Sequence, residues 1–357
     1  MRERLSEMPF LRSIALVLTY RCQVACPHCI IRAGPNRREE LSLDNAFSWI
    51  RQIKKYQQGY IKALSLTGGE PFIDQDRLKK ISSFAREQGL FVSVVTNAFW
   101  AATFEDAINC LKSQPSIEAL AFSTDIYHQE RIPLERIENA IRAARACGIP
   151  YDIHICTESK DEPSYRCTLE RLKRLTDESN ILTVITFLAG RASEMTHRSG
   201  YQLSDKPPVS ACESGWSPVI FPNGKVMACV GPVIDIKASH PLFLGSLKES
   251  TLKEVLDRAE SNSILHALRV WGPAMLISMA REAGLNGCLP ETYIEGSICS
   301  ACYELMSNSK INEFLESLAG NAEFRRKVAY ARIYYLKETR MAELGGLIRP
   351  FQEVSVK

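Results

Sequence analysis

The residues best suited to chemistry lie in one short stretch near the N-terminus, Cys22-Gln23-Val24-Ala25-Cys26-Pro27-His28-Cys29. Its three cysteines follow the spacing C-x3-C-x2-C, and thiolates at such short intervals can converge on one soft metal centre. The next cysteine along the chain is Cys110, so no fourth thiolate lies nearby. Three thiolates can hold a four-iron cluster and leave one iron open to bind and reduce another molecule. The alternative is a zinc site in which His28 joins the three cysteines.

A second group of cysteines lies in the C-terminal half. Cys212 and Cys229 flank Pro222-Asn223-Gly224, a strong hairpin signal between two apolar stretches. We expect the hairpin to bring these two thiols towards each other at its open end. Cys299 and Cys302 add a C-x2-C pair. Four thiolates can close a cluster fully, and a four-cysteine zinc ribbon is the alternative.

The three cysteines near the N-terminus must be positioned by the strands and helices that the rest of the sequence predicts. Apolar runs of strand length recur at roughly thirty-residue intervals, and helix-like patterns follow them. The predicted strands are Ile14–Leu18, Ile61–Leu66, Phe91–Val95, Ile117–Phe122, Tyr151–Cys156 and Ile181–Phe187. Six such units predict parallel strands with right-handed crossovers, and therefore an α/β layer or a partial barrel. In these folds the chemistry lies at the carboxyl ends of the strands.

The residues just after several of these strands are polar or rich in glycine. Thr67-Gly68-Gly69-Glu70-Pro71 follows the second strand, where paired glycines let the backbone approach a ligand and Glu70 can accept from an ammonium group. Gly190-Arg191-Ala192 follows the sixth strand. Amide, hydroxyl and carboxylate groups follow the third and fourth strands, at Asn97, Ser123 and Asp125.

The C-x3-C-x2-C motif after a first apolar strand, with the aromatic-like His28 before its last cysteine, resembles the radical S-adenosylmethionine (SAM) family. The G-G-E-P stretch one strand later is similar to the family's segment for the SAM amino group. The resemblance implies that Cys22, Cys26 and Cys29 hold a four-iron cluster whose open iron chelates SAM. Reductive cleavage would then release a 5′-deoxyadenosyl radical that abstracts hydrogen from a substrate carbon. Gly190-Arg191-Ala192 resembles a turn of the family whose arginine can meet a carboxylate. The cofactor-binding residues implied are His28, Gly68, Gly69, Glu70, Pro71, Asn97, Ser123, Asp125 and Arg191.

The later cysteines resemble the twitch or SPASM extensions of radical SAM enzymes, which hold one or two auxiliary clusters. The full SPASM pattern has further cysteines after its C-x2-C, and residues 304–357 contain none. The resemblance therefore implies one auxiliary four-iron cluster, on Cys212, Cys229, Cys299 and Cys302. Cys288 makes a fifth candidate: it could replace Cys212, donate hydrogen to a substrate radical as in radical epimerases, or take no part. Four other cysteines are expected to be small packing residues, namely Cys110, Cys147, Cys156 and Cys167.

Composition excludes several classes of partner. Of the 357 residues 45% are hydrophobic, and 44 Lys and Arg against 41 Asp and Glu leave a net charge of +3, which does not demand nucleic acid. No signal peptide is visible, and no stretch approaches the roughly 20 apolar residues of a membrane span. Clustered cysteines in an apparently cytosolic chain indicate metal rather than disulfides. The sequence thus predicts a cytoplasmic protein with no nucleic-acid or membrane partner.

The predicted fold class is α/β: a partial (β/α)6 TIM-like barrel, then a small cysteine-rich auxiliary-cluster domain and C-terminal helices. The expected boundaries are an N-terminal extension over residues 1–13, the barrel over 14–195, the auxiliary domain over 196–310 and a helical tail over 311–357.

Enzymes with this extension often modify ribosomally made peptides by crosslinking, oxidation or epimerisation. The resemblance therefore implies a peptide substrate and an electron donor such as flavodoxin or ferredoxin. The barrel starts almost at the N-terminus, leaving no room for a leader-peptide-binding domain. That favours the alternative of a small-molecule dehydrogenase or epimerase acting on a sugar or aminocyclitol. A third hypothesis is a non-enzymatic iron–sulfur or zinc carrier or sensor.

Overall fold

The computed structural model describes residues 9–195 and 200–338. Six strands come from the first half of the chain: β1 Ser13–Val17, β2 Ala63–Thr67, β3 Phe91–Thr96, β4 Ala119–Ser123, β5 Tyr151–Thr157 and β6 Ile181–Ile185. Five shorter strands follow: β7 Leu203–Ser204, β8 Val219–Ile220, β9 Lys225–Met227, β10 Phe243–Ser246 and β11 Tyr293–Ile294. Nine strands form one sheet in the order β10-β9-β8-β1-β2-β3-β4-β5-β6, and β11 pairs with β7 separately.

The helices fall into two sets. Those of the first half are α1 Leu43–Lys55, α2 Gln75–Glu87, α3 Phe104–Lys112, α4 Ile126–Gln129, α5 Leu134–Ala146 and α6 Pro163–Lys173. Those of the second half are α7 Leu252–Glu260, α8 Ser263–Trp271, α9 Pro273–Glu282, α10 Ile298–Ser307, α11 Ser309–Gly320 and α12 Ala322–Leu336. None of these helices is long and apolar enough to cross a membrane alone, although the bent pair α8 and α9 reaches that threshold when taken together.

Strands β1 to β6 form the predicted partial (β/α)6 barrel. Each pairs in parallel with the next, in chain order, and helices cover the connections. All five residues of β1 are buried, which is why its sequence is an uninterrupted apolar run rather than an alternating one. In the described part of the chain, β6 is the last strand at one end of the sheet, so the barrel is open there.

Side chains within the first turn mark where the barrel helices begin. The hydroxyl of Ser42 accepts from the Asn45 N–H at the start of α1, and the carboxylate of Asp74 accepts from the Arg77 N–H at the start of α2. Gly89 has φ +72° just after α2, a conformation that glycine adopts without strain.

The hairpin of the second half extends the barrel sheet instead of standing apart from it. Strands β8 and β9 pair around Gly224, and β8 also pairs in parallel with β1, with Ile220 opposite Leu16. The strand that leads into the cysteine loop therefore has β2 on one side and the hairpin on the other. Parts of the predicted extension, linker and tail, at residues 1–8, 196–199 and 339–357, lie outside the described residues.

Candidate active site

The cysteine loop leaves the carboxyl end of β1 and closes on itself. The Cys22 N–H donates to the Gly34 carbonyl over 3.2 Å, and the Gly34 N–H donates to the Tyr20 carbonyl over 3.1 Å. Cys22 and Cys26 are buried, and Cys29 is half-buried. Burial raises the pKa of the Cys22 thiol to about 12, so a metal that binds here must displace its proton.

Gly68 and Gly69 lie directly against the backbone that precedes the cysteine loop. The Gly69 N–H donates to the Thr19 carbonyl over 2.6 Å, and the Glu70 N–H donates to the Arg21 carbonyl over 3.0 Å. A Cβ on Gly69 would lie 2.2 Å from the Arg21 carbonyl oxygen, far inside van der Waals contact. Only glycine allows this approach, which fixes the loop to the end of β2.

The Glu70 side chain points into the protein rather than towards a ligand. It is fully buried, and it accepts from the Thr96 hydroxyl over 2.8 Å, the Asn97 N–H over 2.8 Å and the Phe72 N–H over 3.1 Å. Burial raises the pKa of Glu70 to about 7, although the three donors act in the opposite direction. The Glu70 carboxylate therefore joins the end of β2 to the end of β3. It does not face the cavity, where the predicted ammonium group would bind.

Asn97 contacts the cysteine loop through its side-chain amide. Its Nδ2 donates to the Cys22 Sγ over 3.7 Å, and its Oδ1 accepts from the Gln23 Nε2 over 2.8 Å. An amide that donates to a ligand sulfur orients that ligand and influences the reduction potential of a cluster. Sequence reasoning did not single out Gln23, although its position inside the motif was a signal.

Two imidazoles lie on either side of the buried carboxylate of Asp125. The Asp125 Oδ1 is 2.9 Å from the His128 Nδ1, and its Oδ2 is 3.5 Å from the His28 Nε2. Burial alone would lower the pKa of His128, but the charge of Asp125 raises it to about 10. Burial lowers the pKa of His28 to about 4. The His28 ring also stacks on Tyr127 at 4.6 Å. Asp125 thus fixes the motif's histidine to the start of α4, where it accepts from the Tyr127 and His128 N–H groups.

Arg191 binds the cysteine loop from the far end of the barrel. Its guanidinium donates to the carbonyls of Cys26 and Ala33, each over 2.5 Å, and its N–H donates to the Cys29 carbonyl over 3.0 Å. Gly190 has φ +62°, and a Cβ there would lie 2.4 Å from the Ile30 carbonyl oxygen. The predicted carboxylate partner is therefore replaced by the loop's own backbone.

A cavity of about 230 Å³ opens at the carboxyl ends of the strands, and the three thiols line it. Of the other predicted site residues, those that line it are His28, Gly68, Gly69, Asn97 and Ser123. Those that do not are Glu70, Pro71, Asp125, Arg191 and Cys288. His128, and Cys156 near the end of β5, also line the cavity. Cys156 was expected to be a small core or surface residue, although it ends a predicted strand.

The four predicted auxiliary cysteines lie together. Cys229 follows β9, Cys299 and Cys302 occupy the first turns of α10, and the Cys212 N–H donates to the Leu268 carbonyl at the end of α8. Burial raises the pKa of Cys302 well above its usual value, and the charges of Cys229, Cys212 and Cys299 raise it further. Cys288 is not among the charges that raise the pKa of Cys229, Cys299 or Cys302. It lies in the separate short turn Asn286–Cys288.

The thiols of neither cysteine set converge on the spacing of a single zinc site. Zinc binds sulfur at about 2.3 Å, which places tetrahedral thiolates about 3.8 Å apart. Among the described residues, the only group of three donors within 4.8 Å of one another is His28, Asp125 and His128, and neither cysteine set qualifies. A four-iron cluster separates its thiolates further, because each binds a different iron.

Comparison with known proteins agrees with this site. Residues 16–162 match the radical SAM superfamily. The "Putative peptide biosynthesis protein YydG" of Bacillus subtilis is 22% identical over 312 residues, which cover 85% of this chain and 95% of that protein. The "Probable GTP 3',8-cyclase" of Methanopyrus kandleri is 31% identical over 93 residues, 26% of this chain and 29% of that protein. The solved structure of BtrN in complex with AdoMet and 2-DOIA aligns with a TM-score of 0.39 at 10% identity, covering 83% of this chain and 98% of that one. Residues 16–162 therefore form a radical SAM domain, and the family match with the similarity to YydG supports an enzyme of this type.

Proposed function

We propose that this enzyme modifies a peptide by radical SAM chemistry, through crosslinking, oxidation or epimerisation. The observation that carries the proposal is the cavity at the strand ends, lined by three buried or half-buried thiols in a C-x3-C-x2-C loop. Similarity to YydG over 85% of the chain supports a peptide as the substrate class, because that protein's name refers to peptide biosynthesis.

In this proposal Cys22, Cys26 and Cys29 hold a four-iron cluster, and SAM occupies the cavity beside it. When bound, these groups supply a 5′-deoxyadenosyl radical that removes a hydrogen atom from a substrate carbon. The chain's own residues position and shield that chemistry. Asn97 orients the Cys22 sulfur, and the Gly68 and Gly69 backbone forms one wall. The largely apolar lining of the cavity limits the contact of reactive intermediates with water.

The auxiliary cysteines have a place in the same proposal. Cys212, Cys229, Cys299 and Cys302 would hold a second four-iron cluster. Val230, next to Cys229, lines the active-site cavity, which supports a position for the auxiliary group near the substrate. There it can accept the electron that remains after hydrogen removal. An electron donor such as flavodoxin or ferredoxin and a cytoplasmic location stay predictions.

The test is anaerobic incubation of the cluster-reconstituted protein with SAM, a strong reductant and the peptide encoded by a neighbouring short reading frame. We expect 5′-deoxyadenosine, together with a peptide that has lost two hydrogen atoms or, for epimerisation, has gained one deuterium in heavy water. Cys22→Ala should abolish both products. SAM cleavage without any change to the peptide, but with a sugar or aminocyclitol consumed, would favour the small-molecule alternative. Absence of 5′-deoxyadenosine in cluster-replete protein would overturn the proposal.

A further inference from the structure

Among the described residues, the outer edge of β6 at the open end of the barrel has no paired strand. The Thr186 N–H donates to the Thr157 carbonyl of β5 over 2.8 Å, so Thr186 directs its backbone towards the sheet. Backbone direction alternates along a strand, and Thr183 and Ile185 therefore direct their N–H and carbonyl groups away from β5. No strand of the described chain pairs with that side of β6.

Three grooves follow this edge in series and end at the active site. The first, of about 510 Å³, is lined by Ile181 and Thr183 of β6. It shares Thr183 and Lys160 with the second, of about 370 Å³. The second shares Val184, Ile185 and Phe187 with the active-site cavity. The shared residues place the three openings in order along residues 181–187, which extended chain would span over about 23 Å.

The far wall of the middle groove combines the end of a short β-ribbon with the start of α10. It is lined by Gln202, next to β7, and by residues 295–299, which follow β11 and include Cys299. The Glu295 N–H donates to the Gln202 carbonyl over 2.8 Å, which closes this short ribbon opposite the β6 edge. A ligand between the two walls would thus lie beside the auxiliary cysteines before it reaches the cavity.

The walls of the channel show no preference for one sign of charge. Glu158 and Glu295 face the same groove as Lys160, and the apolar Leu182 of β6 is 53% exposed. A long channel beside a free strand edge, with mixed charge, is suited to a ligand recognised through its main chain. A compact sugar would use neither the length nor the backbone groups.

We propose that the outer edge of β6 binds an extended peptide segment as an added strand and so delivers one of its residues to the cavity. This inference rests on the proposed function, since it specifies how that peptide is held. Main-chain hydrogen bonds to Thr183 and Ile185 would fix the register, and register would decide which residue reaches the three-thiol end.

The test uses linear peptides of about ten residues, long enough to cover the edge, selected from a randomised display library against the reconstituted holoenzyme under anaerobic conditions. Binding of a selected peptide is then compared between Thr183→Pro and Thr183→Ala. Both variants lose the hydroxyl, but only proline also removes the outward N–H, at a position where an edge strand tolerates it. We expect proline to weaken binding about fivefold more than alanine, the effect of one hydrogen bond.

A measurement on the ligand keeps the test decisive if the proline variant unfolds. N-methylation of successive peptide residues should weaken binding at every second position, because alternate residues face the edge. Three results would overturn the inference: no linear peptide is enriched, the two Thr183 variants bind equally, or the N-methyl series shows no alternation. If one of these three results is obtained with an enzyme that cleaves SAM, peptide binding at the β6 edge is disproved and the proposed function is not. Peptide binding at β6 without SAM cleavage disproves the proposed function instead.

Discussion

Replacing Arg191 by methionine tests whether the end of β6 holds the cysteine loop in place. The guanidinium donates to the carbonyls of Cys26 and Ala33, which lie on opposite sides of Cys29. Methionine keeps the length and apolar stem of the side chain and removes both donors. The loop has no helix or strand of its own between Val17 and Leu43, so these bonds are a large part of what fixes it.

The expected size of the effect follows from the bonds lost. A hydrogen bond with a charged partner contributes about 1.5–3 kcal/mol, so losing two costs at least about 3 kcal/mol of loop stability. Every 1.4 kcal/mol is a factor of ten, so opening of the loop should become about 100-fold more favourable. Arg191→Lys should fall between methionine and wild type, because one ammonium cannot reproduce the two-pronged contact.

The assay is the rate at which a ferrous chelator removes iron from the reconstituted protein under anaerobic conditions. About half of the iron, the share of the cysteine loop, should leave up to 100-fold faster in Arg191→Met, while the auxiliary share leaves at the wild-type rate. Arg171→Met is the matched control, since it removes only contacts with Glu135 and Glu138 on the surface. Equal rates of iron loss in the two folded variants would refute the role assigned to Arg191.

Three further predictions follow from the same geometry. Burial raises the pKa of Glu70 from 4.5 to about 7. The protonated carboxyl therefore contributes its full stability below about pH 4.5, and the free energy of unfolding should fall by about 3 kcal/mol as pH rises through 7. Denaturant unfolding of the reduced apoprotein should show this loss, and Glu70→Gln should remove it. Cys288→Ala should keep wild-type iron content whereas Cys212→Ala loses about half, because only Cys212 lies with the other auxiliary thiols; the reverse result would exchange their roles. Asp125→Asn removes the charge that raises the pKa of His128 to about 10, so the histidine NMR resonance should titrate several units lower, and an unchanged titration would contradict the pairing.

Much of the barrel could be predicted from the sequence because its signals are local. The apolar run of β1 follows from burial on both faces, and the side chains of Ser42 and Asp74 cap helices within their own first turns. The observed strand ends differ from the predicted ones by no more than two residues, since strand length and flanking turns are encoded nearby. The three-thiol motif is likewise local, being contained in eight residues.

The contacts of the side chains around the motif could not be predicted, because they join distant parts of the chain. Glu70 was expected to face a ligand, but three donors, two of them at the end of β3, hold it inside the protein. Arg191 meets backbone carbonyls about 160 residues away in sequence. Cys156 looked like a packing residue because nothing in its neighbours shows that β5 ends at the cavity. Sequence periodicity gives the face of an element, but not what another element places opposite it.

The arrangement explains why an irregular loop can carry the reactive group. The cysteine loop has no regular helix or strand, so rigid elements around it must add to its own turn hydrogen bonds in fixing its shape. Gly69 and Glu70 attach it to β2, Asn97 to β3, Asp125 through His28 to β4, and Arg191 to β6. Loosening one attachment should therefore disturb the thiols without unfolding the barrel, because the sheet and its helices do not depend on the loop. This is the reason the Arg191 and Asp125 variants can separate positioning from folding.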